Sequence, residues 1–457
     1  MTSRVHSGIV NHGNTCFINS ALQCLCHCPS IISSLIENNQ QDDKVLEVIK
    51  YYYTKKNIDS NDNNDNNDLN NSNVVEDIIN KRKAQCEKCS ISISPRINKI
   101  NNGYCNNCKS NNSDNPIVIS DNDNDNDNEE MDIECDREDT NEDSVLERDL
   151  VNYNINDKSI EYMKVYFAFK KLMYDLTNKQ QTLTAKDFII CCINLSKSIG
   201  LEYLFDGSQN DMQEFVSFLL DSIHEAKATK TEMTVTSKQK IVKTEDKVKF
   251  EAYKTYIKHF KDKYSFIVRD FYYLLLGIIK CSTCEYVSFS YDPTCLMSVP
   301  IPKTDASSLS IYDCLDMYFG KEVFSQNNVW KCEKCSNVNN NYKEYRIITS
   351  PKTLIIAIKR FEFTGVGFRK NNKLIDFPLD LNISAYKIDK KNNCKYRLFA
   401  IGNHIGGLSG GHYISFCRDI SDDENKWYCF NDHQIGQITE DKLVSNMAYM
   451  LFYQQVD

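Results

Sequence analysis

A cysteine near the start of the chain and a histidine close to its end constrain the fold more than any other feature. Cys16 lies in the run Gly-Ile-Val-Asn-His-Gly-Asn-Thr-Cys-Phe-Ile-Asn-Ser-Ala-Leu-Gln, residues 8–23, and His412 follows two glycines. Asn431 and Asp432 end a later β-like segment. This order is typical of a thiol hydrolase, in which a distant histidine acts as base for a cysteine nucleophile. The two ends of the chain must therefore meet.

The composition is that of a globular protein with reduced thiols. The chain has 457 residues and 41% of them are hydrophobic, which is enough for a sizeable core. It has no run of about eighteen apolar residues, so no transmembrane helix is predicted. Its first residues lack the apolar segment of a secretory signal. Twenty cysteines without such a signal indicate free thiols and metal ligands, so we expect an intracellular protein of the cytoplasm, the nucleus or both.

The net charge of −9 comes from one acidic tract. Residues 121–150 hold fifteen Asp and Glu residues against two Arg, which is typical of a solvated segment. No basic stripe with interleaved aromatic residues is present in the sequence. Nucleic-acid binding and membrane binding are therefore not predicted.

Residues 37–157 differ in composition from the sequence on either side. Asn and Asp dominate much of this segment, which buries too little apolar area to offset its chain entropy, so we predict a largely disordered insertion. Two Cys-x-x-Cys pairs within 84–110 have a spacing typical of a small zinc knuckle. The alternative is an insertion that merely contains cysteines. The four candidate ligands are Cys86, Cys89, Cys105 and Cys108.

Helical patterns precede strand patterns along the rest of the chain. Apolar residues recur at helical spacing after Cys16, and 162–169 and 211–224 also have a helical pattern. From 266 onward short β-like runs dominate and are separated by Gly and Asn turns. This order predicts an α+β fold.

The predicted helix after Cys16 bears on the reactivity of the thiol. Asn14 or Thr15 is expected at its N-cap, which places Cys16 in the first turn. The helix dipole and the unpaired amides there favour the thiolate and lower the cysteine pKa. A nearby imidazolium of His412 would lower it further.

A hairpin is predicted to join His412 to its orienting residue. If 412–418 and 426–432 pair as antiparallel strands across a turn-rich loop, paired residue numbers sum to about 844. His412 then faces Asp432 or, one step away, Asn431. Sequence alone leaves that choice open, because a slip of one residue exchanges the faces of a strand.

Five ordered motifs resemble those of the ubiquitin-specific proteases, a family of papain-like cysteine deubiquitinases. Residues 8–25 resemble the family's cysteine box, and 396–432 resemble its histidine box. Leu354-Ile-Ile-Ala-Ile-Lys-Arg-Phe361 and Phe377-Pro-Leu-Asp-Leu381 are similar to its palm strands. Gln209-Asn-Asp-Met-Gln-Glu-Phe215 resembles its Gln-Gln-Asp-Ala-x-Glu-Phe segment. Two positions of that last motif depart from the family, namely Asn210 and Met212.

The resemblance implies a catalytic role for each residue of the opening pattern. Cys16 is the nucleophile, and His412 is the general base and then the general acid. Asn431 matches the third member of the triad, and Asp432 matches an adjacent polar residue that assists. No cofactor is implied for the chemistry.

The resemblance also implies binding roles. Asn11 matches the side chain that stabilises the oxyanion, although an Asn before a helix is also an ordinary turn residue. Asp211 and Gln209 match positions that hold the C-terminal tail of ubiquitin. The alternative for Asp211 is an acid at a helix N-terminus, which is favourable on its own. His404 lies in what resembles a mobile loop over the cleft.

Two further Cys-x-x-Cys pairs predict a structural zinc site. Two such pairs supply four thiolates, which complete a tetrahedral zinc site and leave no position open for chemistry. The family resemblance implies a zinc site in the same order along the chain. The alternative is four free thiols. The residues are Cys281, Cys284, Cys332 and Cys335.

These features together predict a papain-like fold with a helical thumb, an antiparallel β palm and zinc-bearing β fingers. The expected activity is thiol-dependent hydrolysis at the C-terminal glycine of ubiquitin, with ubiquitin and ubiquitinated proteins as partners. The alternatives are a catalytically silent ubiquitin-binding protein and a protease for another ubiquitin-like modifier. The predicted catalytic domain comprises 1–36 and 158–457, with the thumb at 1–36 and 158–265, the fingers at 266–345 and the palm at 346–457.

Overall fold

A computed structural model describes most residues on either side of the predicted insertion and few within it. The described residues are 6–37, 42–49, 51–52, 84–85, 92–93, 155–235, 244–324, 329–363, 367–390, 393–407, 410–419 and 425–456. The predicted disorder of the insertion concerns residues that lie almost entirely outside these ranges. The predicted second zinc site of Cys86, Cys89, Cys105 and Cys108 also lies outside these ranges.

The chain divides into two compact units. One unit comprises 1–37 and 158–457, and the other comprises 38–157. In the second unit, residues 42–49 are helical, and the two-residue strands Ala84–Gln85 and Ser92–Ile93 pair antiparallel. Among the described residues, no helix is both long enough and apolar enough to cross a membrane.

Helices dominate the first half of the larger unit, as the apolar spacing predicts. The helix that begins at Cys16 is buried along its whole length, which explains why nearly every residue after Cys16 is apolar or small. Later helices begin where Asp211, Ser265 and Ser310 accept a backbone N–H with their side chains. The α-helices are Cys16–Cys26, Pro29–Glu37, Asp157–Asn178, Lys186–Ile199, Met212–Lys227, Thr244–Phe260, Phe266–Phe271 and Ile311–Phe319.

An eight-stranded sheet forms the core of the second half. Most neighbouring strands are antiparallel, as predicted, but the edge strand Leu296–Val299 runs parallel to Thr353–Ile358. Every residue of Thr353–Ile358 is buried. The strands of this sheet are Leu296–Val299, Thr353–Ile358, Asp380–Asn382, Lys395–Gly407, Gly410–Arg418, Trp427–Asn431, Gln434–Ile438 and Ala448–Val456.

A four-stranded antiparallel sheet carries the cysteine pairs at its end. Two of its strands, Tyr273–Lys280 and Val287–Thr294, pair from Tyr273 with Thr294 to Lys280 with Val287. Two more strands, Tyr342–Thr349 and Glu322–Val323, complete it. Two small ribbons occur elsewhere, formed by Phe361–Phe363 with Phe368–Lys370 and by Ser308–Ser310 with Leu374–Asp376.

The Cys16–Cys26 helix packs directly on the Gly410–Arg418 strand. On its other side Phe17 meets Phe215 edge-on, with ring centroids 5.8 Å apart, and so contacts the Met212–Lys227 helix. Cys16 and the strand that carries His412 therefore belong to two layers that share one interface.

Candidate active site

Cys16 is the first residue of its helix, as the sequence predicts. Thr15 occupies the N-cap position but its side chain makes no capping bond to the helix. Its Oγ1 accepts instead from the His12 amide at 3.1 Å. The turn before the helix requires left-handed backbone at Gly13, with φ 90°, and Asn14, with φ 52°. This turn fixes the position of the Cys16 thiol at the start of the helix.

The pKa of the Cys16 thiol is raised above its ordinary value, contrary to the prediction from the helix N-terminus. Burial is the largest cause, and the Asp432 carboxylate adds to it. The amide of Tyr413 acts in the opposite direction, as do those of Phe17 and Cys16 itself. Desolvation thus outweighs the amides, so the thiol needs a base to take its proton.

His412 is held by Asn431. Its Nε2 lies 2.7 Å from Asn431 Oδ1, which is an acceptor, so Nε2 carries the hydrogen and donates. The Asp432 carboxylate is more distant, with Oδ2 3.8 Å from the same nitrogen. In the neutral ring Nδ1 is then the basic nitrogen, ready to accept a proton. The open choice between Asn431 and Asp432 thus falls to Asn431.

The hairpin register differs by one residue from the predicted sum of 844. Ser415 pairs with Phe430 and Arg418 with Trp427, so the paired numbers sum to 845. In that register Asn431 and His412 project from the same face of the sheet, because side chains alternate along a strand. Asp432 begins a turn with φ 52°, beyond the end of the strand.

Asp432 links the residues on either side of Cys16 to this hairpin by hydrogen bonds. Its carboxylate accepts from Asn11 Nδ2 at 3.0 Å and from Asn19 Nδ2 at 2.8 Å. Its carbonyl accepts from the Ile9 amide at 2.9 Å. Sequence reasoning missed Asn19, although an amide side chain one turn after Cys16 in a mostly apolar helix is a usable signal.

Asn11 has a fixed side-chain orientation. Its Oδ1 accepts from the amides of Gly13 at 3.0 Å and Thr15 at 3.2 Å, and from Thr15 Oγ1 at 3.1 Å. These bonds identify the other atom as the nitrogen, which donates one of its two N–H bonds to Asp432. The second N–H is the one that matters for an oxyanion.

Gln209 and Asp211 already have protein partners. Gln209 Nε2 donates to the Gly411 carbonyl at 2.8 Å, and the Gly411 amide donates to Gln209 Oε1 at 2.7 Å. Asp211 accepts from the Gln213 amide at 2.6 Å and from the Tyr449 hydroxyl at 2.7 Å. Burial raises the pKa of Asp211. Its capping role at a helix N-terminus is therefore confirmed.

The two residues that depart from the family motif have local structural roles. Asn210 Nδ2 donates to the carbonyls of Tyr203 and Leu204, each at 3.2 Å, and so holds the preceding loop. Met212 is fully buried against Gly402. A Cβ added at Gly402 would lie 2.6 Å from the Met212 sulfur, so the larger side chain occupies space that the glycine leaves.

His404 lies in a strand rather than in the expected loop. It pairs with Tyr413 in the hairpin and is only 4% exposed. Its ring packs on Phe361 at 5.3 Å and on Tyr413 at 4.7 Å between centroids. Burial lowers the pKa of His404 to about 4, with contributions from Lys370 and His412. The imidazole beside the site is therefore neutral at physiological pH.

The four predicted zinc ligands converge at the end of the four-stranded sheet. Their sulfur atoms all lie within 4.8 Å of one another, with Sγ atoms 3.5 Å apart for Cys281 and Cys335 and 3.6 Å apart for Cys284 and Cys332. Tetrahedral zinc with Zn–S bonds near 2.3 Å requires sulfurs about 3.8 Å apart, so the donor set fits the ion.

The two knuckles that carry these cysteines have the same backbone form. Glu285 follows the first pair with φ 57° and Ser336 follows the second with φ 60°. The Cys281 amide donates to the Tyr286 carbonyl, and the Cys332 amide donates to the Asn337 carbonyl, each at 2.9 Å. Two equivalent turns facing each other are what a zinc site built from four cysteines needs.

Comparison with known proteins gives a consistent result along the chain. Residues 7–453 match the ubiquitin carboxyl-terminal hydrolase family. The chain is 30% identical to ubiquitin carboxyl-terminal hydrolase Usp2 of Drosophila melanogaster over 304 residues, covering 65% of this chain and 31% of that protein. It is 26% identical to the probable ubiquitin carboxyl-terminal hydrolase R319 of Acanthamoeba polyphaga mimivirus, covering 99% and 90%. The chain thus spans about a third of the first relative and most of the second.

Solved structures support the fold. Ubp8 in a SAGA DUB module bound to monoubiquitin aligns with a TM-score of 0.56 and 19% identity, covering 99% of this chain and 69% of that one. A second SAGA DUB module, bound to ubiquitin aldehyde, aligns with a TM-score of 0.54 and 20% identity, covering 99% and 70%. At this identity the likeness shows a common fold.

Proposed function

Because the chain belongs to the ubiquitin carboxyl-terminal hydrolase family, we propose that it is a cysteine-dependent deubiquitinase, with Cys16, His412 and Asn431 as its catalytic triad. The observation that carries the proposal is the 2.7 Å bond from His412 to Asn431 on the strand that abuts the Cys16 helix. That bond leaves Nδ1 of the ring as the base for a thiol whose pKa burial raises.

The reaction begins with transfer of the Cys16 proton to His412 Nδ1. The sulfur attacks the carbonyl carbon of the C-terminal glycine of ubiquitin, and the carbonyl oxygen takes the negative charge. The free N–H of Asn11 donates to that oxyanion. Collapse of the intermediate breaks the C–N bond, and His412 returns its proton to the departing lysine amine, which leaves a thioester on Cys16.

Water completes the cycle. His412 takes a proton from the water as it attacks the thioester, and the C–S bond breaks to release ubiquitin with a free carboxylate. The proton then returns to the Cys16 sulfur. Asp432 keeps Asn11 in place through both steps, by the 3.0 Å bond between its carboxylate and the amide nitrogen.

The ubiquitin tail is proposed to reach Cys16 past Gln209 and Asp211. These two residues directly precede the Met212–Lys227 helix, and they contact the strand of His412 and Tyr449 respectively. An Asp carboxylate has four lone-pair sites, so Asp211 retains acceptor capacity for amides of an extended peptide. Ubiquitinated intracellular proteins are the proposed substrates.

We also propose that Cys281, Cys284, Cys332 and Cys335 hold a structural zinc ion at the end of the four-stranded fingers sheet. The thumb, fingers and palm are proposed to follow the predicted division with two exceptions, since Leu296–Val299 belongs to the eight-stranded sheet and 346–349 continue a strand of the fingers sheet. Four thiolates fill the coordination sphere, so the ion takes no part in hydrolysis. Metal analysis should find about one zinc per chain at this site, lost in Cys332→Ser. A deletion of 38–157 should lower the total only if the insertion binds a second ion.

Hydrolysis of ubiquitin with a fluorogenic amide at its C-terminal glycine tests the activity. The wild-type protein should release the fluorophore, and Cys16→Ala and His412→Ala should each lose activity by about 1,000-fold or more. Cys295→Ala, which removes a thiol outside the site, should keep it. Tight binding of ubiquitin without turnover would instead indicate a silent ubiquitin-binding protein. Turnover of another modifier's amide alone would indicate a different protease.

A further inference from the structure

Lys370 is a buried lysine that the proposed chemistry does not use. It lies at the end of the Phe368–Lys370 strand and is only 9% exposed. No described carboxylate pairs with it, and its neighbour Arg360 is a fully buried cation. Burial lowers the pKa of Lys370 to about 8, and Arg360 contributes to that shift. Burying an ammonium is costly unless its hydrogen bonds are made, so its partners identify its role.

Both partners of Lys370 belong to the hairpin that carries His412. Its Nζ donates to the His404 carbonyl at 2.6 Å and to the Gly406 carbonyl at 3.2 Å. Across this hairpin Ile405 pairs with His412 and Gly406 pairs with Gly411. The lysine therefore contacts the strand directly opposite the proposed base.

These two carbonyls lie where the hairpin projects beyond the sheet. The neighbouring strand pairs with Lys395–Gly407 only as far as Asn403, which faces Ala448, and the His404 amide makes the last bond to Met447. Carbonyls of alternate residues point to the same side of a strand, so those of His404 and Gly406 both face the side where that strand has ended. Lys370 therefore supplies to these two carbonyls the hydrogen bonds that a further stretch of that strand would have donated.

This end of the hairpin is rich in glycine, so its backbone depends on the contacts that hold it. Gly406 has φ 92°, and further glycines occupy positions 407, 410 and 411. An isolated two-stranded hairpin is only marginally stable in water. On the opposite strand the Gln209 amide holds Gly411. Lys370 and Gln209 thus hold the hairpin from its two edges, on either side of His412.

We infer that Lys370 is a positioning residue for the proposed hydrolysis, in that its buried ammonium holds the projecting end of the hairpin that carries His412. This inference rests on the proposed function, since positioning matters only if His412 is the base. Displacing a catalytic group by about 1 Å costs on the order of 100-fold in rate, so partial loosening should cost about 10-fold.

Three variants of the full chain test the inference. Lys370→Met keeps the length and removes the donors, and Lys370→Arg keeps the charge and donors. Lys373→Met is the matched control, since Lys373 Nζ also donates to a carbonyl, that of Thr304, away from the hairpin. If Lys370→Met does not fold, Lys370→Gln replaces it as a shorter neutral donor.

Two measurements separate this inference from the proposed function. Hydrogen exchange of the amides of 403–407 and 410–413 in the free protein should be faster in Lys370→Met, and normal in Lys370→Arg and Lys373→Met. With the ubiquitin amide, kcat of Lys370→Met should fall about 10-fold while KM changes by less than about 2-fold, and Lys370→Arg should restore it. Unchanged exchange, or a change in KM alone, would overturn the inference. Absence of turnover in the wild type would refute the proposed function. The exchange measurement would still test whether Lys370 holds the hairpin, because it does not depend on turnover.

Discussion

At the scale of single residues, the site depends on one amide and one imidazole. Asn431 accepts from His412 Nε2 and so fixes the tautomer in which Nδ1 is basic. Asn431→Ala should therefore reduce kcat about 100-fold with little change in KM. Asn431→Asp retains the acceptor and should stay close to wild type. Steady-state kinetics on the ubiquitin amide measure both, and equal losses in the two variants would mean that the acceptor is not what matters.

His404 gives a residue-scale prediction in pH. Its pKa is about 4 in the folded chain against an ordinary 6.5, so its contribution to stability is complete above pH 6.5. Below that pH the unfolded state takes up the proton first, and stability falls as the pH approaches 4. The loss should reach about 3 kcal/mol in the free energy of unfolding near pH 4. Urea unfolding at pH 7.5 and pH 4.5 should show a smaller loss for His404→Phe than for wild type, and equal losses would contradict this account.

Residue types in the sequence were enough to select the proposed triad, but they did not reveal the residues that support it. Cys16 and His412 stand in runs that are distinctive on their own. Asn19 and Lys370 do not, because each acts through partners hundreds or tens of residues away, at Asp432 and at the hairpin carbonyls. A buried polar residue has a readable role only once its partners are known.

At the scale of secondary-structure elements, the close packing of one helix on one strand depends on a large residue facing a glycine. Met212 begins a thumb helix and fills the gap that Gly402 leaves on a palm strand. Gly402→Ala should destabilise the protein by about 1–3 kcal/mol through overpacking, and Met212→Ala by about 2–5 kcal/mol through a cavity. The double variant should lose clearly less than the sum, since each change relieves the other. Urea unfolding of the three variants tests this, and strict additivity would show that the two residues are independent.

The elements also show where sequence reasoning loses resolution. Alternation and turn residues predicted the hairpin of Gly410–Arg418 with Trp427–Asn431, but its register was wrong by one residue. The predicted register depends on how many residues are assigned to the loop between the two strands. A loop rich in turn-forming residues is compatible with either register. The parallel direction of the edge strand Leu296–Val299 was also missed, because its burial alternates along the strand as is typical of an antiparallel strand.

At the scale of the whole molecule, the residues of the proposed site come from segments near the two ends of the chain. The Ile9 amide donates to the Asp432 carbonyl, and a Cβ at Gly8 would lie 2.4 Å from the His433 carbonyl oxygen. The α+β class and the meeting of the ends follow from motif order alone. The distances that decide the chemistry do not, because they depend on how two layers dock.

Covalent labelling by modified ubiquitin tests whether Cys16 is the nucleophile. Ubiquitin carrying a thiol-reactive group in place of its C-terminal carboxylate is incubated with the full chain, and the modified peptide is identified by mass spectrometry. We expect one ubiquitin per chain, attached to Cys16 and to none of the other nineteen cysteines, with no adduct in Cys16→Ala. An adduct that persists in Cys16→Ala, or one that maps to another cysteine, would contradict it.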